Sequence, residues 1–137
     1  MPAGYSGTPL AKKLGIKPGF TVLLLDEPAH YLELFDDLPQ DLNVVSEAAP
    51  ESVDFIHLFV QEQKRLEVLA PKAKKLLKKD ATLWVSWPKG ASKLPTDLNR
   101  DLIREYLLTE IGLVDVKVAA VDEDWSGLKF VYRVKDR

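Results

Sequence analysis

Three stretches of this sequence are apolar on both faces of an extended chain: residues 20–26 (FTVLLLD), 54–60 (DFIHLFV) and 81–87 (ATLWVSW). A strand with one wet face alternates apolar and polar residues. A strand that does not alternate is covered on both sides, as in the middle of a parallel sheet. Parallel neighbours need crossovers that carry the chain back to the starting end. The segments between these three strands have helical character, so helices layered on a sheet follow.

The intervening segments carry their own boundary signals. Residues 8–15 (TPLAKKLG) read as a short helix, with Thr8 at the N-cap, Pro9 at the first helical position and Gly15 as the left-handed stop. Lys17-Pro18-Gly19 is a turn. Pro28 opens a helix to about Leu38, with Tyr31, Leu32, Leu34 and Phe35 on its buried side, and Pro39 ends it. Residues 43–46 form a short strand. Only residues 47–53 connect it to the next, less than a parallel crossover normally uses, so it is very short, antiparallel or absent. Residues 61–77 are helical, with a kink or a division into two short helices expected at Pro71. Thr96 caps a helix to Ile111, with Leu98, Leu102 and Tyr106 near one stripe, and Gly112 ends it. Residues 114–118 and 128–134 alternate, which predicts a hairpin near a sheet edge, joined by residues 122–127.

These elements add up to a small Rossmann-like α/β fold. Its sheet is mainly parallel, with helices on both faces and a C-terminal antiparallel hairpin. The pattern over residues 20–134 resembles the methyltransferase variant of that fold. The resemblance implies a strand order 2-1-3-4-6-5 with the last strand antiparallel.

The chain's 137 residues fit a single domain, 1–137. It has no Cys and only two histidines, His30 and His57, so thiol chemistry and a histidine-rich metal site are excluded. No cofactor is called for. Residues 1–7 lack the basic head and apolar stretch of a secretory signal, and runs such as residues 22–25 fall far short of the ~20 apolar residues of a membrane helix. A cytoplasmic protein without membrane contact is expected. With 19 Lys+Arg against 21 Asp+Glu, the net charge of −2 makes nucleic acid an unexpected partner. The charges are nevertheless segregated. Residues 26–54 hold nine acids and no Lys or Arg, while residues 61–79 hold seven bases against Glu62 and Glu67. These blocks read as solvated faces of opposite sign, or as docking surfaces for a protein partner or a second copy.

In open parallel sheets ligands sit beyond the carboxyl ends of the strands. Asp26 to His30, Gln61, Glu62, residues 87–93 and residues 122–127 all fall there. Lys89, Ser92, Lys93 and the helix start at Thr96 are candidates to hold a small anionic, phosphate- or nucleotide-like ligand. Trp87 and Trp125 would wall the site. Ser126 and Asp26 would lie beside it, and Tyr5 and Ser6 would close it. The spacing is not that of a P-loop.

A methyltransferase needs a glycine-rich turn after the first strand, where backbone approaches the cofactor. Residues 26–30 (DEPAH) hold no glycine. Glu47 could stand where an acid holds the ribose. The expectation is therefore a non-catalytic binding domain. A protein-interaction module and a degenerate S-adenosylmethionine-dependent methyltransferase are the alternatives. An enzyme using Asp26 or Asp122 as general base lacks a partner group for either. His57, inside a strand, reads as a core histidine with a hydrogen-bonded ring.

Three motifs carry a second resemblance: Gly4-Tyr5-Ser6-Gly7-Thr8-Pro9-Leu10; Trp87-Pro88-Lys89 through Ser92 to Thr96-Asp97-Leu98; and Trp125-Ser126-Gly127-Leu128 following residues 112–118 (GLVDVKV). Together they are similar to a bacterial family of short soluble proteins of unknown function. That likeness implies no activity or cofactor. It does imply that the motifs share the carboxyl end of the sheet.

Overall fold

The computed structural model describes residues 8–137. Six strands form one sheet in the order β2-β1-β3-β4-β6-β5. They are β1 Thr21–Leu25, β2 Asn43–Val45, β3 Val53–Phe59, β4 Leu77–Pro88, β5 Leu113–Ala120 and β6 Trp125–Tyr132. β2, β1, β3 and β4 are parallel neighbours, and β6 runs antiparallel to both β4 and β5. The expected order and the antiparallel last strand are both present. The doubtful second strand is parallel and three residues long. Its return to β3 uses irregular chain, in which Ser52 Oγ donates to the Ala49 carbonyl at 2.7 Å.

Strand parity separates the two faces. Leu23, Ile56, Leu58, Leu83 and Val85 point to one face, where α2 (Gln63–Leu76) and α3 (Arg100–Tyr106) pack through Leu66, Leu69, Ala73 and Ile103. Val22, Phe55 and Trp84 point to the other and meet α1 (Leu10–Leu14) through Leu10, Ala11 and Leu14. The Trp84 indole N–H donates to the Leu14 carbonyl at 2.8 Å, which fixes α1 on the sheet and satisfies one open carbonyl at its end. Gly15, at φ 86°, provides the left-handed stop expected of it.

Four expectations need correction. The helix from Pro28 to Leu38 is only a 3-10 turn, Tyr31–Leu34. Phe35 turns extended, and the Asp37 carboxylate leaves the segment to accept from the Ala11 and Lys12 N–H groups at 3.0 and 3.1 Å. Tyr31, Leu34 and Phe35 have helical spacing but pack as a plug against the sheet, whereas Leu32, expected beside them, is exposed. Helix α2 is not divided into two helices at Pro71, because its buried stripe of Leu66, Leu69, Ala70, Ala73 and Leu76 continues on both sides of the proline. Thr96 does not cap a helix. Asn99 does, accepting from the Leu102 N–H at 2.9 Å, and α3 then runs into a π-turn, Leu107–Ile111. Trp125, Ser126 and Gly127 are strand residues rather than loop, since β6 pairs with β4 up to Pro88↔Trp125.

No helix of the described residues is long and apolar enough to cross a membrane.

Candidate functional site

β1 and β3 lead away from their shared border in opposite directions, since the chain goes from β1 outward to β2 and from β3 toward β4. At such a reversal the connecting segments diverge and leave a crevice at the carboxyl ends. A cleft of about 530 Å³ opens there. The segment after β1 contributes Asp26, Pro28 and His30. β3 and the approach to α2 contribute Phe59, Val60, Gln61 and Glu62, and α2 itself contributes Arg65. Leu94, Asp124 and Trp125 complete the wall.

The floor is aromatic. Phe59 meets Trp125 edge-on, with centroids 5.0 Å apart, and Tyr31 meets Phe59 the same way at 5.6 Å. Beneath it His57 is fully buried. Its Nδ1 lies 2.9 Å from the Tyr31 hydroxyl and its Nε2 2.7 Å from Ser86 Oγ, so both ring nitrogens are satisfied. Burial alone lowers the His57 pKa from 6.5 to about 3, and burial raises that of Tyr31. The imidazole is therefore neutral at ordinary pH and serves as a structural strut, as the sequence suggests.

The rim is charged. Asp26 has φ 57°, a backbone conformation that favours Gly, Asn or Asp. Its carboxylate accepts from Arg65 Nε at 2.6 Å and from Nη2 at 2.9 Å, a bidentate pair that bridges β1 to α2. That hydrogen-bonded partner holds the Asp26 carboxyl below the usual carboxylate range despite partial burial. Across the mouth, Asp122 is buried and pinned. Its Oδ1 accepts from the Asp124 and Trp125 N–H groups at 2.8 and 2.9 Å. Its Oδ2 faces His30 Nε2 at 3.2 Å. A fixed carboxylate thus orients a half-exposed imidazole on the cleft wall. Among the described residues, the wall holds no Ser, Thr, Tyr or Lys.

The sequence-derived candidates do not converge on this cleft as a set. Lys89, Ser92, Lys93 and Thr96 are not among its lining residues. Ser92 Oγ donates to Asp124 Oδ1 at 2.9 Å, and the Lys89 N–H donates to the Asp124 carbonyl at 2.8 Å, so the loop is stitched to the β5–β6 turn. Thr96 Oγ1 donates to the Gln61 carbonyl at 2.6 Å, stitching the same loop to the end of β3. Lys93 is exposed. Trp87 belongs to the core on the α2 face, whereas Trp125 belongs to the opposite face, so the two indoles do not wall one site. Ser126 pairs with Trp87 in the sheet and lies outside the lining. Tyr5 and Ser6 lie outside the described residues. Asp26 and Trp125 are the two candidates that the cleft contains. His30, Glu62 and Asp124 are placed at this end of the sheet by the sequence without being chosen as ligand-binding residues, and Arg65 is not anticipated. Their only signal was position, at or one turn beyond the ends of β1, β3 and the hairpin.

No family model matches the sequence, and a search of curated proteins finds no match. Among solved structures, the fold is similar to an S-adenosylmethionine-dependent methyltransferase from Aquifex aeolicus. The TM-score is 0.62 at 17% identity, over 87% of this chain and 85% of that one. It is also similar to a putative type 11 methyltransferase from Sulfolobus solfataricus, with TM-score 0.65 at 14% identity over 91% and 90% of the two chains. A third is the 1,6-didemethyltoxoflavin N1-methyltransferase of Burkholderia thailandensis, solved with S-adenosylhomocysteine. Its TM-score is 0.57 at 12% identity, over 88% and 73%. At these identities the likeness shows the fold: a Rossmann-like domain of methyltransferase topology.

Proposed function

We propose that the chain is a binding domain built on the methyltransferase fold, and that its switch-point cleft takes a small organic ligand presenting positive charge or clustered hydrogen-bond donors beside an apolar body. One observation carries this. The lining sets three carboxylates (Asp26, Glu62 and Asp124) against one guanidinium, above a floor of Phe59 and Trp125. Arg65 is already engaged by Asp26, so the surplus is acidic. In a partly dewatered cleft, carboxylates favour ammonium, sulfonium or hydroxyl donors and repel phosphate. The small anionic ligand expected from Lys89 and Lys93 does not suit this wall.

S-adenosylmethionine belongs to this chemical class through its sulfonium and ammonium groups, and the fold similarity makes it the first probe. Against it stands Asp26, whose side chain and Arg65 bridge occupy the turn where a methyltransferase uses glycine. Thermal shift with S-adenosylmethionine, S-adenosylhomocysteine, spermidine and inorganic phosphate tests the proposal. A cationic probe at ~100 Kd stabilises by about 2.7 kcal/mol. For a domain of this size that raises Tm by roughly 5–10 °C. The shift should fall in Glu62→Gln. A shift with phosphate and none with any cation would overturn the assignment.

A further inference from the structure

On the cleft wall, His30 is held by a carboxylate that is itself fixed in place. Asp122 is buried, and its Oδ1 accepts from the Asp124 and Trp125 N–H groups at 2.8 and 2.9 Å. The turn that carries these donors is closed in its own right, because the Val121 and Asp122 N–H groups donate to the Trp125 carbonyl at 2.9 and 3.3 Å. Oδ2 is left for His30 Nε2, 3.2 Å away. The His30 side chain is 47% exposed and that of Asp122 only 10%. One ring nitrogen is thus anchored inward. The other, Nδ1, has no hydrogen-bond partner among the described residues, on a ring that lines the cleft.

An ionised carboxylate only accepts, and a neutral imidazole carries one N–H. With Oδ2 against Nε2, the proton sits on Nε2 and Nδ1 is a bare acceptor. His57 differs, since both of its nitrogens meet hydroxyls, which donate or accept and so impose no tautomer. The charged groups that share the cleft wall with His30 are Asp26 from its own segment, Glu62 and Arg65 from the α2 side, and Asp124 from the hairpin turn. Glu27 and Glu33 on its own segment, Glu123 in the turn and Lys93 beside Leu94 lie outside the lining. Among side chains of these types, only an imidazole ordinarily changes charge between pH 5 and 8.

We infer that His30 is a ligand contact of the cleft and couples capture to a proton: Nδ1 of the neutral ring accepts from an N–H of the ligand, and a protonated ring expels it. This rests on the reading of the cleft as a site for a cationic ligand. With the ring neutral, Nδ1 adds a further acceptor to the carboxylates of Glu62 and Asp124. Once protonated, the same atom is a donor, and the ring sets a positive charge beside the bound cation while pairing with Asp122 behind it. Proton and ligand therefore compete for one ring, and each weakens the other by the same factor. The coupling also narrows the ligand class. The ligand presents a primary or secondary ammonium, because a quaternary ammonium or a lone sulfonium has no N–H to give Nδ1.

The test is calorimetry with spermidine, whose alkylamines stay protonated, at pH 7.5 and 5.5. For a single imidazole proton in the ordinary histidine range, affinity should fall roughly tenfold between the two. His30→Gln should bind nearly equally at both. Wild type and variant share His57, so its own titration is common to the comparison. Asp122→Asn keeps an oxygen for the two backbone N–H groups but turns an amide N–H toward Nε2. The ring proton then moves to Nδ1, and spermidine at pH 7.5 should weaken on the order of tenfold. Nitrogen-15 NMR of the free protein, with only two imidazoles to assign, should place the His30 proton on Nε2 in the wild type and on Nδ1 in Asp122→Asn. A merely structural Asp122 would not move it. A wild-type proton on Nδ1, spermidine affinity indifferent to pH, or a pH dependence that persists in His30→Gln would overturn the inference and leave the cation site standing. Absence of spermidine binding at pH 7.5 overturns it too, and phosphate bound in its place overturns the cleft reading as well.

Discussion

His57 makes the domain acid-labile in a defined window. Its ring is fully buried, stacked on Phe59 at 4.2 Å and bonded at both nitrogens, and burial places its pKa at about 3 against 6.5 for a free imidazole. The folded-state value is depressed, so between the two values the unfolded chain binds a proton that the folded one excludes. Stability from this group is complete above pH 6.5 and is lost as pH falls toward 3. The loss is about 1.4 kcal/mol per pH unit inside the window, or roughly 2.7 kcal/mol between pH 7.5 and 4.5. Against a total stability on the order of 5–15 kcal/mol for a domain, that is a visible fraction. Asp26 acts in the same direction. Its carboxyl is lowered by Arg65, but that contribution is lost only as pH falls below the ordinary carboxylate range. The interval from pH 4.5 to 6.5 therefore reports on the buried imidazole. Urea unfolding at pH 7.5, 6.5, 5.5 and 4.5 measures it. His57→Gln keeps a polar side chain but cannot titrate. It should be less stable at pH 7.5 by about 1–3 kcal/mol, for one hydroxyl left without its partner. Its stability should be nearly flat to pH 4.5. A wild-type loss below about 0.5 kcal/mol over this range, or an equal slope in His57→Gln, would refute the assignment.

Three further outcomes follow from particular contacts. Pro71→Ala should raise the stability of the domain by on the order of 1–3 kcal/mol in urea unfolding, because α2 already runs through an exposed proline that supplies no N–H to its ladder. Asn99→Ala should cost about 1 kcal/mol by removing the only side-chain cap of α3, with Asn99→Asp restoring most of it. Asp26→Asn should change Tm little, since the pair with Arg65 is partly exposed and Asn tolerates the left-handed backbone. It should weaken any cationic ligand of the cleft by several-fold in calorimetry.

Much of the sheet was legible because its signals are local. Non-alternating apolar runs marked β1, β3 and β4, and alternation marked β5 and β6, since burial on two faces or one leaves a periodic trace. The segment after β1 was misread because Tyr31, Leu34 and Phe35 carry helical spacing while serving as a plug under the cleft. The Thr96 cap was misread because a Thr before an apolar stripe has two uses, and here its hydroxyl reaches back to Gln61. The two indoles both fall at the carboxyl end of the sheet, which suggests one site, but in the register Ser126 faces Trp87 and Trp125 faces Pro88. One residue of offset placed them on opposite faces.

The sequence by itself determined the layers and the end of the sheet at which Asp26, Gln61, Glu62 and the hairpin turn would meet, while the strand order came from resemblance to a known fold. The layers and that end follow from periodicity and from the direction of parallel strands, which are properties of short segments. Tertiary structure alone decided which charges face one another. Arg65 neutralises Asp26 from 39 residues away, and Lys13 reaches the Ala120 carbonyl from 107. Coulomb interactions depend on distance in space and not along the chain. The acidic cleft therefore appears only after the sheet has closed those distances.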